Sequence, residues 1–253
     1  MFGIVKAETL KLWRRKEFWC CLLIMLLPLF YFMCYTADFS YVINLIPIKQ
    51  DALYLFSHMI WLSCEILIFP LFLALCAIHA HRGEMDNRSI RFYLQRVEKR
   101  SYIYIGKHFS IIASEIAITV GLLFVCIAGQ QLIELSSLSV QAGNTVYLQE
   151  VLLVAASLMY LTSIVFVSFA ISTVFSIEVS TGIMILAIVL ITIIKEIPLM
   201  QVLSPMYYLN QLSGEQINGL TVGQSILGVG ILSLAICIVS YKIGVHRFAR
   251  IDI

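Results

Sequence analysis

Charge is scarce in this chain. Only 13% of its 253 residues are Asp, Glu, Lys or Arg and 60% are hydrophobic, whereas a soluble domain carries about 25% charged residues. That deficit excludes an ordinary water-soluble globule. No C-x-x-C pair occurs, and the seven cysteines, Cys20, Cys21, Cys34, Cys64, Cys76, Cys126 and Cys237, fall almost entirely within apolar runs. They read as small hydrophobic residues rather than metal or redox ligands.

Catalytic signatures are missing as well. There is no G-x-S-x-G elbow and no H-E-x-x-H pair, so neither a hydrolase nor a zincin is supported. Gly106-Lys107 does not complete a phosphate-binding loop, because Ser101 stands where the first glycine belongs and His108 where the hydroxyl belongs. No enzyme activity, no cofactor bound by this chain and no nucleic-acid partner are expected. His79 and His81 flank Ala80 near Glu84, but positions i and i+2 do not share a helix face, which argues against a metal site.

What the chain has in abundance is long apolar runs. A helix of about 20 residues crosses a hydrocarbon core of about 30 Å, and runs of that kind occur at 18–37, 52–78, 109–133, 151–175 and 221–241, with a shorter one at 179–194. The first is too long for the apolar region of a signal peptide. The expected fold is an all-α integral membrane protein with six transmembrane helices in a single 253-residue domain. Ser176, Ile177 and Glu178 are all that separates the fourth and fifth runs, so a tight turn is expected there.

The bases are distributed unevenly. Lys6, Lys11, Arg14, Arg15 and Lys16 precede the first run; Arg82, Arg88, Arg91, Arg96, Lys99, Arg100 and Lys107 lie between the second and third; Lys242, Arg247 and Arg250 follow the sixth. Only Lys49 and Lys195 fall on the other side. The positive-inside bias therefore predicts both termini and the 79–107 segment in the cytoplasm of a multi-pass cell-membrane protein. Pro28 and Pro70, inside the first two runs, each remove a helix hydrogen bond and predict kinks.

Three flanking segments carry further patterns. Residues 1–17 repeat Phe2, Val5, Thr9, Leu12 and Trp13 at steps of three and four, with Lys6, Lys11, Arg14 and Arg15 charged, the pattern of an interfacial helix lying in the headgroup plane of the lipid bilayer, the alternative being a plain basic flank that only sets topology. Segment 79–107 contains Ile90, Tyr93, Leu94 and Val97 at i, i+3, i+4 and i+7, with Arg88, Arg91, Gln95 and Glu98 turned away. That is a short amphipathic helix whose stripe needs a surface, either a protein partner or membrane headgroups. The external segment 195–220, with Pro198, Pro205, Gly214 and Gly219 around an apolar 206–209 patch, reads either as short helices dipping back over a cavity or as a surface loop.

Ionisable residues within spans are functional candidates. Glu65 lies near the middle of the second run without a partner in its own span, leaving a cavity-lining or proton-linked role open. Glu115 lies about two turns into the third, where an ion pair with Lys107 or His108 is the structural expectation. Glu178, in the tight turn, either hydrates that turn or makes a second contact to a cytoplasmic partner.

Taken together, the interfacial helix, six spans, amphipathic segment between spans two and three, long external loop and basic tail resemble the membrane subunit of ABC-2 type exporters. That family often shows an acidic residue, a small pair such as Gly-Thr, an amphipathic helix ending in leucine, then Arg and Lys leading into span three. Glu84, Leu94, Arg100 and Lys107 match the acid, leucine, arginine and lysine. Arg88-Ser89 stands where Gly-Thr is common and Val97 where a proline often follows the helix, while the closing 248–252 stretch resembles the family's short basic tail.

The resemblance implies a dimer, homomeric or with a related permease, carrying two separate cytoplasmic ATPase subunits that bind ATP and Mg. It places Ile90, Tyr93, Leu94 and Val97 in a cleft of the ATPase, with Glu84, Arg88 and Arg91 at its rim. With short external loops, the chain is similar to bacterial permeases that protect against lantibiotics, bacitracin or other membrane-active peptides, and export of an amphipathic peptide, antibiotic or lipid is the implied activity. The competing readings are an ion-coupled carrier, for which no internal repeat between 1–133 and 134–253 is evident, a membrane scaffold or sensor, and a membrane-embedded enzyme.

Overall fold

The computed structural model describes residues 2–36, 52–87, 100–135, 147–214 and 222–249. Every regular element among them is helical. In chain order they are α1 (Phe2–Trp13), α2 (Lys16–Cys21), α3 (Leu26–Thr36), α4 (Ala52–Glu65), α5 (Ile68–Asp86), α6 (Arg100–Leu135), α7 (Tyr147–Ser172), α8 (Ile177–Ile194), α9 (Pro205–Ser213) and α10 (Val222–Ala249). Short 3-10 turns occupy Leu22–Met25 and Gln201–Leu203.

Five stretches are long and apolar enough to cross a membrane: Lys16–Cys34, Ser101–Gln131, Leu148–Ser172, Ile177–Ile194 and Val222–Phe248. Helices α4 and α5 pass the same test only as a pair, bent by 66° at their junction. Among the described residues the chain is all-helical, with the long apolar helices of a multi-span membrane protein.

The two intramembrane prolines explain the two irregular spans. Pro70 has no N–H to give the carbonyl four residues earlier, at Ile66, and the helix stops at that point. Leu67 adopts a left-handed φ of 62°, and the hydrogen bond from Leu71 N to Leu67 O then restarts the helix as α5. The run 52–78 is therefore two helices meeting at a sharp bend rather than one straight helix. Pro28 likewise leaves the Ile24 carbonyl without its α-helical donor, and Ile24 sits in the 3-10 turn between α2 and α3.

Helix α7 is the centre of the bundle, packing against α4, α5, α6, α8, α9 and α10. Its Ala156, Tyr160, Leu161, Val165 and Phe169 are fully buried. Its serines do not need distant partners, since Ser157, Ser163, Ser168 and Ser172 each donate to a carbonyl three or four residues back. Four residues, 173–176, then separate α7 from α8.

Of the segment 195–220, residues 195–214 are described: turns and a short 3-10 turn with exposed Leu199 and Leu203 lead into the packed helix α9. Pro205 opens α9 at its first turn, where no N–H is needed, and Gly214 closes it in the left-handed region at φ 80°. Met206, Leu209 and Leu212 are buried against the bundle, chiefly on α10 and α7. Ser204 Oγ donates to the Ile191 carbonyl at 2.9 Å and ties the start of α9 to the end of α8.

Candidate functional site

Among the described residues the charge networks lie toward the two ends of the bundle. At the basic end, α1 lies along the start of α6, with Ile4 so close to Gly106 that a Cβ there would come within 2.8 Å of Ile4 Cγ2. This close approach buries Glu8 and Leu12, one turn apart on α1, while Leu10 and Trp13 stay exposed. The expected stripe of Phe2, Val5, Thr9, Leu12 and Trp13 thus needs correction: the face led by Ile4, Glu8 and Leu12 is taken up by protein. The reason is Glu8, whose carboxylate finds a lysine on α6.

That lysine is Lys107, itself only 1% exposed. Its ammonium donates to Glu84 Oε2 at 2.5 Å, to Glu8 Oε2 at 3.1 Å and to the Ala80 carbonyl at 3.0 Å, using all three of its donors. Lys11 bridges the same two carboxylates at 3.0 Å to Glu8 and 3.2 Å to Glu84. Arg15 adds a 3.4 Å contact to Glu84 and donates to the His79 carbonyl at 2.8 Å. Two acids and three bases from α1, the α1–α2 junction, α5 and α6 form one network.

Glu84 lies on the polar extension of α5, beyond the apolar run 52–78. Burial alone would raise its carboxyl, but the charge and hydrogen bond of Lys107, then those of Lys11, outweigh it and hold the group below the ordinary carboxylate value. Within the chain the Glu84 carboxylate is largely enclosed and bonded to Lys107, Lys11 and Arg15.

Segment 88–99 connects α5 to α6, so Arg88, Ile90, Arg91, Tyr93, Leu94 and Val97 lie outside the described residues. The network grips the two helices on either side of it. Glu178 is exposed in the first turn of α8. It is at the basic end too, because Phe169, near the end of α7, stacks on His108 with ring centroids 4.1 Å apart.

The expected pairing of Glu115 with Lys107 or His108 is not formed. Glu115 is 1% exposed and receives Thr162 Oγ1 from α7 at 3.4 Å from both of its oxygens. Eight residues along a helix rise about 12 Å, and helical side chains lean back toward the N-terminus, so Lys107 reaches away from Glu115 and toward Glu8. His108 donates Nδ1–H to the Tyr104 carbonyl at 2.9 Å. His79 makes a similar bond to the Leu75 carbonyl, whereas His81 is buried among Tyr104, Phe169 and Phe248.

Toward the other end, Glu65 closes α4 beside the helix break and pairs with Lys195 at the end of α8. Lys195 is buried and also lies 3.6 Å from Glu196. The partner absent from its own span therefore comes from another helix.

A cluster that sequence reasoning missed joins α4, α7 and α9 near that end. Ser57 hydrogen bonds to Glu150, and His58 Nδ1 lies 3.2 Å from Ser57 Oγ and 3.6 Å from Glu150 Oε2. The imidazole stacks on Tyr54, and its Nε2 faces the Ser213 carbonyl at 3.4 Å. A Ser-His-acid triad needs hydroxyl and carboxylate on opposite ring nitrogens; here both meet Nδ1, which makes the cluster a strut. Trp61 Nε1 donating to Asn210 Oδ1 at 3.0 Å and Gln149 donating to the Leu212 carbonyl at 2.8 Å complete it. The signal available in sequence was Glu150, an acid at the very edge of an apolar run.

No protein family, no curated protein and no solved structure matches this chain.

Proposed function

We propose that the chain is the membrane-spanning permease subunit of an exporter of the ABC-2 type, moving a hydrophobic or amphipathic substrate with ATP hydrolysed by separate subunits. The observation that supports this reading most is the mounting of segment 88–99. Both flanking helices are clamped to α1 by the Lys107, Glu84 and Glu8 network, so a force applied to the segment would be passed to two spans and the N-terminal helix together. A loop serving only as a tether needs no such grip.

In this reading both termini and 79–107 are cytoplasmic. Ile90, Tyr93, Leu94 and Val97 dock on two ATPase subunits that carry ATP and Mg, with Arg88, Arg91 and Glu178 at the edge of the contact. A second permease subunit completes the complex, and antimicrobial peptides, antibiotics or lipids are the substrate classes.

The test is co-expression with a P-loop ATPase encoded beside this gene. The expected result is co-purification and ATP hydrolysis stimulated by the permease, with Leu94→Asp and Tyr93→Ala abolishing both. Intact complex and stimulation in both variants would remove the docking assignment.

An ion-coupled carrier is the second reading, favoured by the sharp bend between α4 and α5 with Glu65 and Lys195 beside it, since discontinuous helices line coupling sites in carriers. Substrate uptake into proteoliposomes driven by a proton gradient, without any ATPase, would decide for it.

A further inference from the structure

An apolar groove of about 500 Å³ runs between α6, α7 and α10 at the basic end of the bundle. Ile105, Phe109 and Ile112 form one wall from α6 together with the ring of His108, whose Nδ1 is held by the Tyr104 carbonyl, Phe166 comes from α7, and Cys237 lies beside Ile238 on α10. Ile238 lines the facing wall, where Tyr241 and Lys242 follow one turn further along α10. The groove opens sideways toward the exposed faces of the spans, since Phe109 is 51% and Ile238 55% exposed.

Its depth in the membrane follows from the helix pairing. The Tyr104 hydroxyl closes on Gly244, where an added Cβ would overlap it. That contact puts the start of α6 level with the last turns of α10. Lys242 is therefore on the basic side of the groove, and the walls run from it toward the membrane interior. His246 and Arg247 follow in the final turn of α10, with His246 on the Lys242 face. Among the described residues Lys242 has no ion pair.

A cavity of this size is in the range that accepts a small ligand, and one lined this way does not hold water well. A lysine at the mouth of a slot whose wall is almost wholly apolar, the rings of His108 and Tyr241 included, wants an anion attached to a hydrocarbon chain. We propose that the groove is a binding site for one acyl chain of an anionic glycerophospholipid from the leaflet at the basic end, its phosphate held by Lys242. The site stands whether or not the chain works with an ATPase, because it uses none of the residues assigned to that contact.

The test uses the full chain in nanodiscs of equal phosphatidylcholine and phosphatidylglycerol, doped with either lipid carrying a photoactivatable diazirine on its acyl chain. Mass spectrometry then locates the label. The expected result is labelling at Phe109, Ile112, Phe166 and Ile238 that is about fivefold stronger from phosphatidylglycerol, the preference one lysine provides at an anionic surface. Lys242→Gln should bring the two lipids level, while Ile112→Trp, or Cys237→Phe should the first variant not fold, should remove the groove label from both. Equal labelling by the two lipids in the unmodified protein would overturn the proposal, as would a preference that survives Lys242→Gln or label that persists in a filled groove.

Discussion

Lys107 and Glu84 meet at 2.5 Å although 23 positions separate them, and their contact closes the base of the helical bundle on both sides of segment 88–99. Neither group is well exposed to water. Breaking a buried pair from one side leaves an uncompensated charge.

Lys107→Met takes the buried cation from Glu8 and Glu84 and leaves them only the partly exposed Lys11 and, for Glu84, Arg15, so a loss of about 3 kcal/mol, the lower end for a broken buried pair, is expected. Thermal unfolding of the purified protein in detergent should show it as a lowered Tm. Adding Glu84→Met to Lys107→Met should recover part of the loss, since a matched apolar pair avoids the stranded charge. A double variant less stable than the single would contradict this account.

Acidification should act through Glu84. Its carboxyl is held below the ordinary value in the folded protein and returns to that value, about 4.3, when the chain unfolds. The stabilisation is therefore complete above the unfolded value and disappears as pH falls through the folded one. Tm measured downward from pH 6 should decline below about pH 4.3, and Glu84→Gln should start lower and decline less.

Gly106 sets how closely α1 lies on α6. A Val side chain there meets Ile4, which a bare Cβ already approaches at 2.8 Å. Gly106→Val should lift α1 away and speed hydrogen exchange over Phe2–Trp13, while the amides at the centre of α7 stay as protected as before.

Lys195→Met should leave Glu65 without its cation beside the Leu67 break, at a cost of about 2 kcal/mol. Exchanging the two charges, Glu65→Lys with Lys195→Glu, should restore much of the lost Tm. Failure of the exchange to do better than the single variant would show that the pair does not hold the break.

Trp61 and Asn210 connect α4 to α9. Asn210→Leu leaves the indole N–H buried without an acceptor, and about 1–3 kcal/mol should be lost. Limited proteolysis should then cut near 205–213 before any other helical region.

The apolar spans and their interruptions were legible in the chain because both arise from local physics. An apolar run of membrane length must close its own backbone hydrogen bonds, and a proline inside it must open one. Pro28 and Pro70 accordingly mark the two irregular spans, and Pro205 with Gly214 brackets α9. Where a charge goes was not legible. Lys11 and Arg15 read as topology signals, Glu8 carried no signal at all, and Lys107 was assigned to the wrong acid, because one sequence does not say which helices lie side by side.

By itself, then, the sequence determined that this is a multi-span helical membrane protein with its bases crowded at one end, since hydropathy and charge placement act residue by residue. Only the tertiary structure decided that Glu84 and Glu8 share Lys107, that Glu65 answers to Lys195, and that Glu115 meets Thr162. A buried ion takes whatever counter-charge the packing of distant segments brings within about 4 Å, and the packing of α1 on α6 and of α8 on α5 is a property of the whole bundle.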